Sequence, residues 1–185
     1  DSYSYCRWGN PDDYLQLNRA FRLFDKDDKE GQLTGTYVDK NGKKIVRGED
    51  SIYFEYAMPE ASELCNKTDK GGIQNLPKGF ALNGSKVVYE GYVEAPENSF
   101  YQFILYYAGY MKIYIDDKLV VPERWRTAWN PNSFKFETPI AKGVKTPIRI
   151  EWQPDGDVSY CGLRVAAPRS ETEKNQLSMA FLMFL

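Results

Sequence analysis

From Gly31 onward the chain is patterned in twos. Met111, Ile113 and Ile115 alternate with Lys112, Tyr114 and Asp116, and Ile148, Ile150 and Trp152 alternate with Arg149 and Glu151. A period of two sends successive side chains to opposite faces, so each segment reads as a strand with one dry face and one wetter face. Trp152 falls on the dry face and is expected in the core. Turn signals cut the pattern at Asn41-Gly42, Pro96-Glu97-Asn98, Asp116-Asp117 and Pro154-Asp155-Gly156. Strands are expected over residues 33–38, 44–47, 51–56, 86–93, 100–107, 111–115, 133–136, 147–152 and 160–166, with 118–121 returning from the Asp116-Asp117 turn as a tight hairpin. Many short strands between turns predict an all-β chain, an antiparallel sandwich or barrel. A length of 185 residues suits one such domain with a sizeable core.

The flanks are less regular. Leu15, Leu17, Ala20, Phe21, Leu23 and Phe24 fit a short helix or an irregular strand equally well, and the acidic run from Asp25 to Gly31 reads as a solvated turn. That run lacks the alternating oxygen ligands of a calcium loop. Residues 57–80 are loop-like, punctuated by Gly71-Gly72 and Pro77-Lys78-Gly79. The balance of 24 basic and 26 acidic residues argues against a nucleic-acid binder. No stretch is long enough to span a membrane, and the apolar tail from Met179 to Leu185 is far too short. No signal peptide opens the sequence, so an exported form would have lost it. Histidine is absent, which removes zinc centres of the usual kind and every triad with a His base. Cys6, Cys65 and Cys161 have no metal-ligand spacing; they allow one internal disulfide of unspecified pairing, and three free, buried thiols is the plainer reading.

One stretch asks for a partner. Pro122 to Asn132 packs two tryptophans, two arginines and two asparagines into eleven residues bracketed by prolines, and is read as a loop without regular structure. Loops are normally small and polar, so either this one meets sugar rings or a protein surface, or it folds back and plugs the end of its own core. Sugars are held by aromatic faces and by planar polar side chains that reach pairs of hydroxyls. Trp125 and Trp129 would be the platforms; Arg124, Arg126, Asn130 and Asn132 would supply hydrogen bonds. Tyr107 and Tyr110, with Asp155 and Asp157 from a later turn, would complete the contact set if these loops converge.

Between residues 31 and 168 the order of motifs resembles the protective-antigen-type (PA-14) domain. The resemblance rests on Leu33-Thr34-Gly35-Thr36-Tyr37, on the run from Tyr89 to Pro96, on the run from Tyr114 to Val121, and on Pro147 to Trp152 with Gly162-Leu163-Arg164. A narrower resemblance rests on Tyr3 to Pro11, Tyr106 to Tyr110, Pro122 to Asn132 and Glu151 to Gly156. These look like the version inserted in family 31 glycoside hydrolases of the α-xylosidase or α-glucosidase type. The resemblance implies an antiparallel β-sandwich at 31–168, a lead segment at 1–30 on the edge of a parent β-sandwich, and a returning strand in 169–185. The residues after Ser178 depart from the family pattern, which has a more polar continuation.

The same resemblance implies an accessory module that contacts a xyloglucan-like oligosaccharide or shapes the entrance to a catalytic barrel, in a bacterial periplasmic or extracellular enzyme. The alternative is a structural domain that docks on the barrel or mediates oligomerisation without binding sugar. Sugar-binding adhesin members hold calcium with an Asp-Asp pair where this chain reads Ala108-Gly109-Tyr110, so no calcium or other cofactor is expected. Asp116-Asp117 sits at a hairpin tip, where Asp is favoured as a turn former. Glycoside hydrolysis needs two carboxyls across the scissile bond, and the acidic residues here occur in surface contexts such as Asp12-Asp13 and Asp27-Asp28. The family 31 nucleophile motif does not occur, and a barrel to carry it needs a far longer chain. No catalytic residue is assigned, and the chain alone is not expected to be an enzyme.

Overall fold

The computed structural model describes residues 13–56, 76–77, 79–127, 133–156, 159–166 and 171–184. Within them the chain is an all-β sandwich. Its elements are β1 (Tyr14–Gln16), α1 (Leu17–Ala20), β2 (Arg22–Phe24), β3 (Leu33–Val38), β4 (Lys44–Glu49), β5 (Ile52–Tyr56), β6 (Lys86–Glu94) and β7 (Ser99–Tyr107). There follow β8 (Gly109–Ile115), β9 (Lys118–Arg126), β10 (Phe134–Ile140), β11 (Lys145–Gln153), β12 (Ser159–Ala166) and α2 (Glu171–Phe184). Five strands form one sheet in the order β1-β12-β7-β10, with β5 also on β12; seven form the other in the order β4-β3-β6-β11-β8-β9, with β2 also on β6. All pairings between named strands are antiparallel.

The alternation places the core as expected. Ile113, Ile150 and Trp152 of the large sheet are buried against Phe54, Phe103 and Leu105 of the small one, and the Phe54 and Trp152 rings lie 5.4 Å apart. The described part of the lead segment departs from its expected place, and residues 1–12 lie outside the described residues. Residues 14–24 belong to this sandwich: β1 pairs with β12, a single helical turn buries Leu17, and β2 pairs with β6. Both readings of that apolar patch are therefore realised in sequence, strand then turn of helix then strand. The tail also departs. Residues 171–184 form a helix rather than a returning strand, because Glu, Lys, Gln, Leu, Met and Ala are strong helix formers and no β-branched run opposes them. The helix rests on β7, with Phe181 and Phe184 edge-on to Phe100 at 6.1 and 6.0 Å.

A tyrosine cluster between β3, β4 and β6 ties stability to pH. The Tyr37 hydroxyl donates to Glu49 Oε1 at 2.6 Å and lies 3.1 Å from the Tyr89 hydroxyl, while Arg47 Nη2 donates back to Tyr37 at 3.1 Å. Burial pushes both phenols far above their ordinary value near 10, and it lifts the free, buried Cys161 thiol in the same direction. Burial also raises Tyr101, to about 12. A group whose folded pKa is raised stabilises the fold fully below its unfolded value, and that contribution is lost as pH climbs toward the folded value. Thermal melts should therefore be flat through neutral pH and fall steeply above about pH 10. Tyr89→Phe should make the alkaline fall shallower; an equally steep fall would show that the cluster is not its source.

Candidate functional site

The site is built where the chain changes sheets. Tyr107 ends β7 in the small sheet and Gly109 begins β8 in the large one, so Ala108 alone makes the crossing. Its peptide groups are held on both sides: Ala108 N–H donates to the Tyr160 carbonyl at 2.9 Å, and the Trp152 indole N–H donates to the Ala108 carbonyl at 2.7 Å. Gly109 then turns with φ +97°, a region open mainly to glycine. A Cβ there would lie 2.4 Å from the Gln153 carbonyl oxygen, a backbone atom that cannot swing aside. Gly109→Ala should lose about 1–3 kcal/mol in urea denaturation from strain alone. An unchanged midpoint would mean the corner is loosely built.

Strand β9 brings the aromatic and arginine residues to this corner. The stretch 122–132, expected to lack regular structure, is a strand as far as Arg126. The physical reason is its position. β9 is the edge strand of its sheet, and Pro122 falls in a bulge: Met111 pairs with Arg124 and Ile113 with Val121, so three steps on β9 oppose two on β8. An edge and a bulge are the two places where a sheet tolerates a residue without an N–H. At the other end of the hairpin, Asp116 and Asp117 both adopt positive φ, 55° and 58°, as a tight two-residue turn requires.

Once β9 is a strand, alternation sorts its residues. Arg124 turns inward: its Nε donates to the Tyr107 hydroxyl at 2.8 Å, and its guanidinium lies 3.7 Å from the centre of the Phe134 ring. Tyr107 itself is buried, 1% exposed. This pair therefore clasps β9 to β7 and β10 of the other sheet and offers no free ring face or hydroxyl to a ligand. Arg126 is half-buried, opposite Gly109. Trp125 turns outward and is 54% exposed, beside Tyr110 at 41%. The two are directly opposite in register, as Tyr110 is to Gln153 on its other side, and facing residues on one sheet face lie about 5 Å apart at Cβ. The Trp125 indole N–H donates to Asp155 Oδ2 at 2.5 Å, which fixes the ring from the β11–β12 loop.

Of the sequence-predicted contact residues, Trp125, Tyr110 and Asp155 thus converge on one exposed surface. Tyr107 and Arg124 lie together behind it. Trp129, Asn130, Asn132 and Asp157 lie outside the described residues. Sequence reasoning missed Gln153, whose signal was its outward position in the β11 alternation. The surface offers an oriented indole, a phenol ring, one carboxylate and one carboxamide, the mixture that grips sugar rings by their apolar faces and reads hydroxyls at the edge. Among the described residues, no three acidic or Cys side chains gather as a metal site would require. The carboxylates with displaced pKa values are displaced downward. For Glu30 the cause is its hydrogen bond with Arg22. For Asp39 burial opposes the shift, and the N–H groups of Lys43, Ala81 and Asn41 outweigh it.

No protein-family model matches the chain. Several solved structures are similar to it. The GH31 alpha-xylosidase from Xanthomonas citri aligns with a TM-score of 0.67 and 29% identity over 89% of this chain and 17% of that one. A beta-glucosidase from Kluyveromyces marxianus, in complex with glucose, aligns with a TM-score of 0.56 and 13% identity over 88% and 19%. An anti-sigma factor domain-containing protein aligns with a TM-score of 0.56 and 15% identity over 75% and 43%. The last two show likeness of fold alone. The chain spans less than a fifth of the length of the two glycosidases it resembles.

Proposed function

We propose that this chain is a non-catalytic accessory module of a bacterial family 31 glycoside hydrolase of the α-xylosidase or α-glucosidase type. Its Trp125–Tyr110–Asp155 surface contacts a xyloglucan-like oligosaccharide at the entrance to a parent catalytic barrel, which performs the hydrolysis. The observation that carries this is the Trp125 ring: more than half exposed, yet oriented by a hydrogen bond from a different loop. An exposed tryptophan held still is costly unless its face is used, and preorganised rings are how sugar contact surfaces limit the entropy of binding. The likeness to the α-xylosidase, which covers most of this chain and a small part of that enzyme, supports the modular reading. The PA-14 resemblance and a periplasmic or extracellular location belong to the same proposal. No helix among the described residues is long and apolar enough to cross a membrane. Calorimetry of the isolated chain with xyloglucan oligosaccharides tests it: binding at millimolar ligand that Trp125→Ala removes supports the reading, and silence there refutes a free-standing sugar surface.

A second reading is favoured by one observation. Met179, Leu182 and Met183 of α2 are between 64% and 87% exposed, an apolar face that a docking or oligomerising domain would cover. Under that reading Met183→Lys changes oligomeric state or attachment to the barrel and leaves any sugar affinity unchanged.

A further inference from the structure

We propose that the Trp125 platform is the head of a trough along β11, and that the trough takes a neutral, linear oligosaccharide laid lengthwise on the outer face of the seven-stranded sheet. This rests on the carbohydrate reading above. Two shallow grooves on that face, of about 270 and 210 Å³, are both lined by Arg149, and the trough is these two grooves taken end to end. Its floor is the outward row of β11 from Gln153 through Glu151 and Arg149 to Pro147, six residue steps or about 20 Å. Tyr110, Lys112 and Tyr114 of β8 wall one side, and Lys86, Glu90 and Tyr92 of β6 wall the other. The register puts them there: Gln153, Glu151 and Arg149 oppose Tyr110, Lys112 and Tyr114, while Glu151, Arg149 and Pro147 oppose Val88, Glu90 and Tyr92.

Three features point to one class of occupant. First, partly exposed tyrosines recur along the whole length, at Tyr110, Tyr114 and Tyr92, so ring faces are available beyond the platform. Second, the charges cancel. Lys86 and Lys112 stand with Glu123 and Glu151 in the upper groove, Lys26 with Asp117 in the lower, and Arg149 donates to Glu90 at 3.3 Å and to Glu151 at 3.2 Å. A polyanion would meet as many like charges as opposite ones and gain nothing from the whole. A neutral polyol finds donors and acceptors side by side, already positioned by the ion pairs. Those pairs are half-exposed and add little stability; their use is to hold the floor in place. Third, the trough opens at Tyr110 and Gln153, which border Trp125 and Asp155, so a sugar stacked on the platform continues naturally into it.

The test is calorimetric titration of the chain with cello-oligosaccharides from cellobiose to cellohexaose, with a xyloglucan heptasaccharide and with a galacturonate oligomer. Affinity is expected to climb at least roughly tenfold along the cello series. Tyr114→Ala should erase most of that climb and leave cellobiose binding unaltered. Amide shifts at Arg149 and Glu151 in the unaltered chain should appear with cellohexaose and not with cellobiose, which keeps the test open if the variant does not fold. A flat length series with binding that still depends on Trp125 overturns the trough and leaves the platform. Tighter binding of the galacturonate overturns the trough too. Failure of every sugar overturns both.

Discussion

Trp152→Ala is expected to cost about 3–5 kcal/mol, a drop in melting temperature on the order of 10 °C. The ring is 1% exposed and packs on Phe54, so truncation leaves a cavity that neighbouring strands cannot close. It also strips the Ala108 carbonyl of its donor at the point where the chain passes between sheets. Trp152→Phe separates the two effects: most of the volume stays and the hydrogen bond goes, for an expected loss of about 1–3 kcal/mol. If the phenylalanine variant melts with the unaltered chain, the corner is held by packing alone. Because Gln153 follows Trp152 and sits opposite Tyr110, loosening this corner should also weaken the exposed surface beside it.

Trp125→Ala is expected to do the reverse. The side chain is mostly in solvent, so its removal should change stability by no more than about 0.5 kcal/mol. Sugar affinity should fall by about 2 kcal/mol, roughly 30-fold, if Trp125 is the anchor that an aromatic contact surface requires. Asp155→Asn, which keeps an oxygen acceptor for the indole N–H, should fall far less than Asp155→Ala. Arg124→Ala provides the contrast. Its guanidinium sits on Phe134 and its Nε on Tyr107, so that change should lower stability, and sugar affinity only through the loosened strand. A larger direct loss from Arg124 than from Trp125 would mean the contact surface lies on the other side of β9.

The strands whose apolar residues alternate cleanly were legible in the sequence. β6, β8 and β11 lie within a residue or two of the expected segments, since a buried face specifies both strand and register; β3 and β12 lie within a residue of theirs, although β12 is buried on both faces. β9 was legible only from Lys118 to Val121, the return arm of the Asp116-Asp117 hairpin; beyond it Pro122 reads as a breaker until an edge position and a bulge are known, and neither is a local property. Tyr107 was counted with Tyr110 among the contact residues near the start of a strand. In the fold the last five residues of β7 are all buried, which no alternation rule anticipates. Arg149 and Glu151 read as an ordinary solvated face. They become the floor of a groove only when register sets Tyr110, Tyr114 and Tyr92 on the neighbouring strands. The acidic turn at residues 25–31 behaved as its composition suggested: Asp25 Oδ1 accepts the Asp27 and Lys29 N–H groups, each at 2.9 Å, as turn-forming aspartates do.

The most direct check is the indole N–H region of a proton–nitrogen spectrum, where four tryptophans give at most four signals. Adding a xyloglucan oligosaccharide should move the Trp125 signal, which reports both ring stacking and the bond to Asp155, and leave the buried Trp152 signal in place. Four signals that stay fixed at millimolar sugar, in a chain that melts cooperatively, would contradict the account.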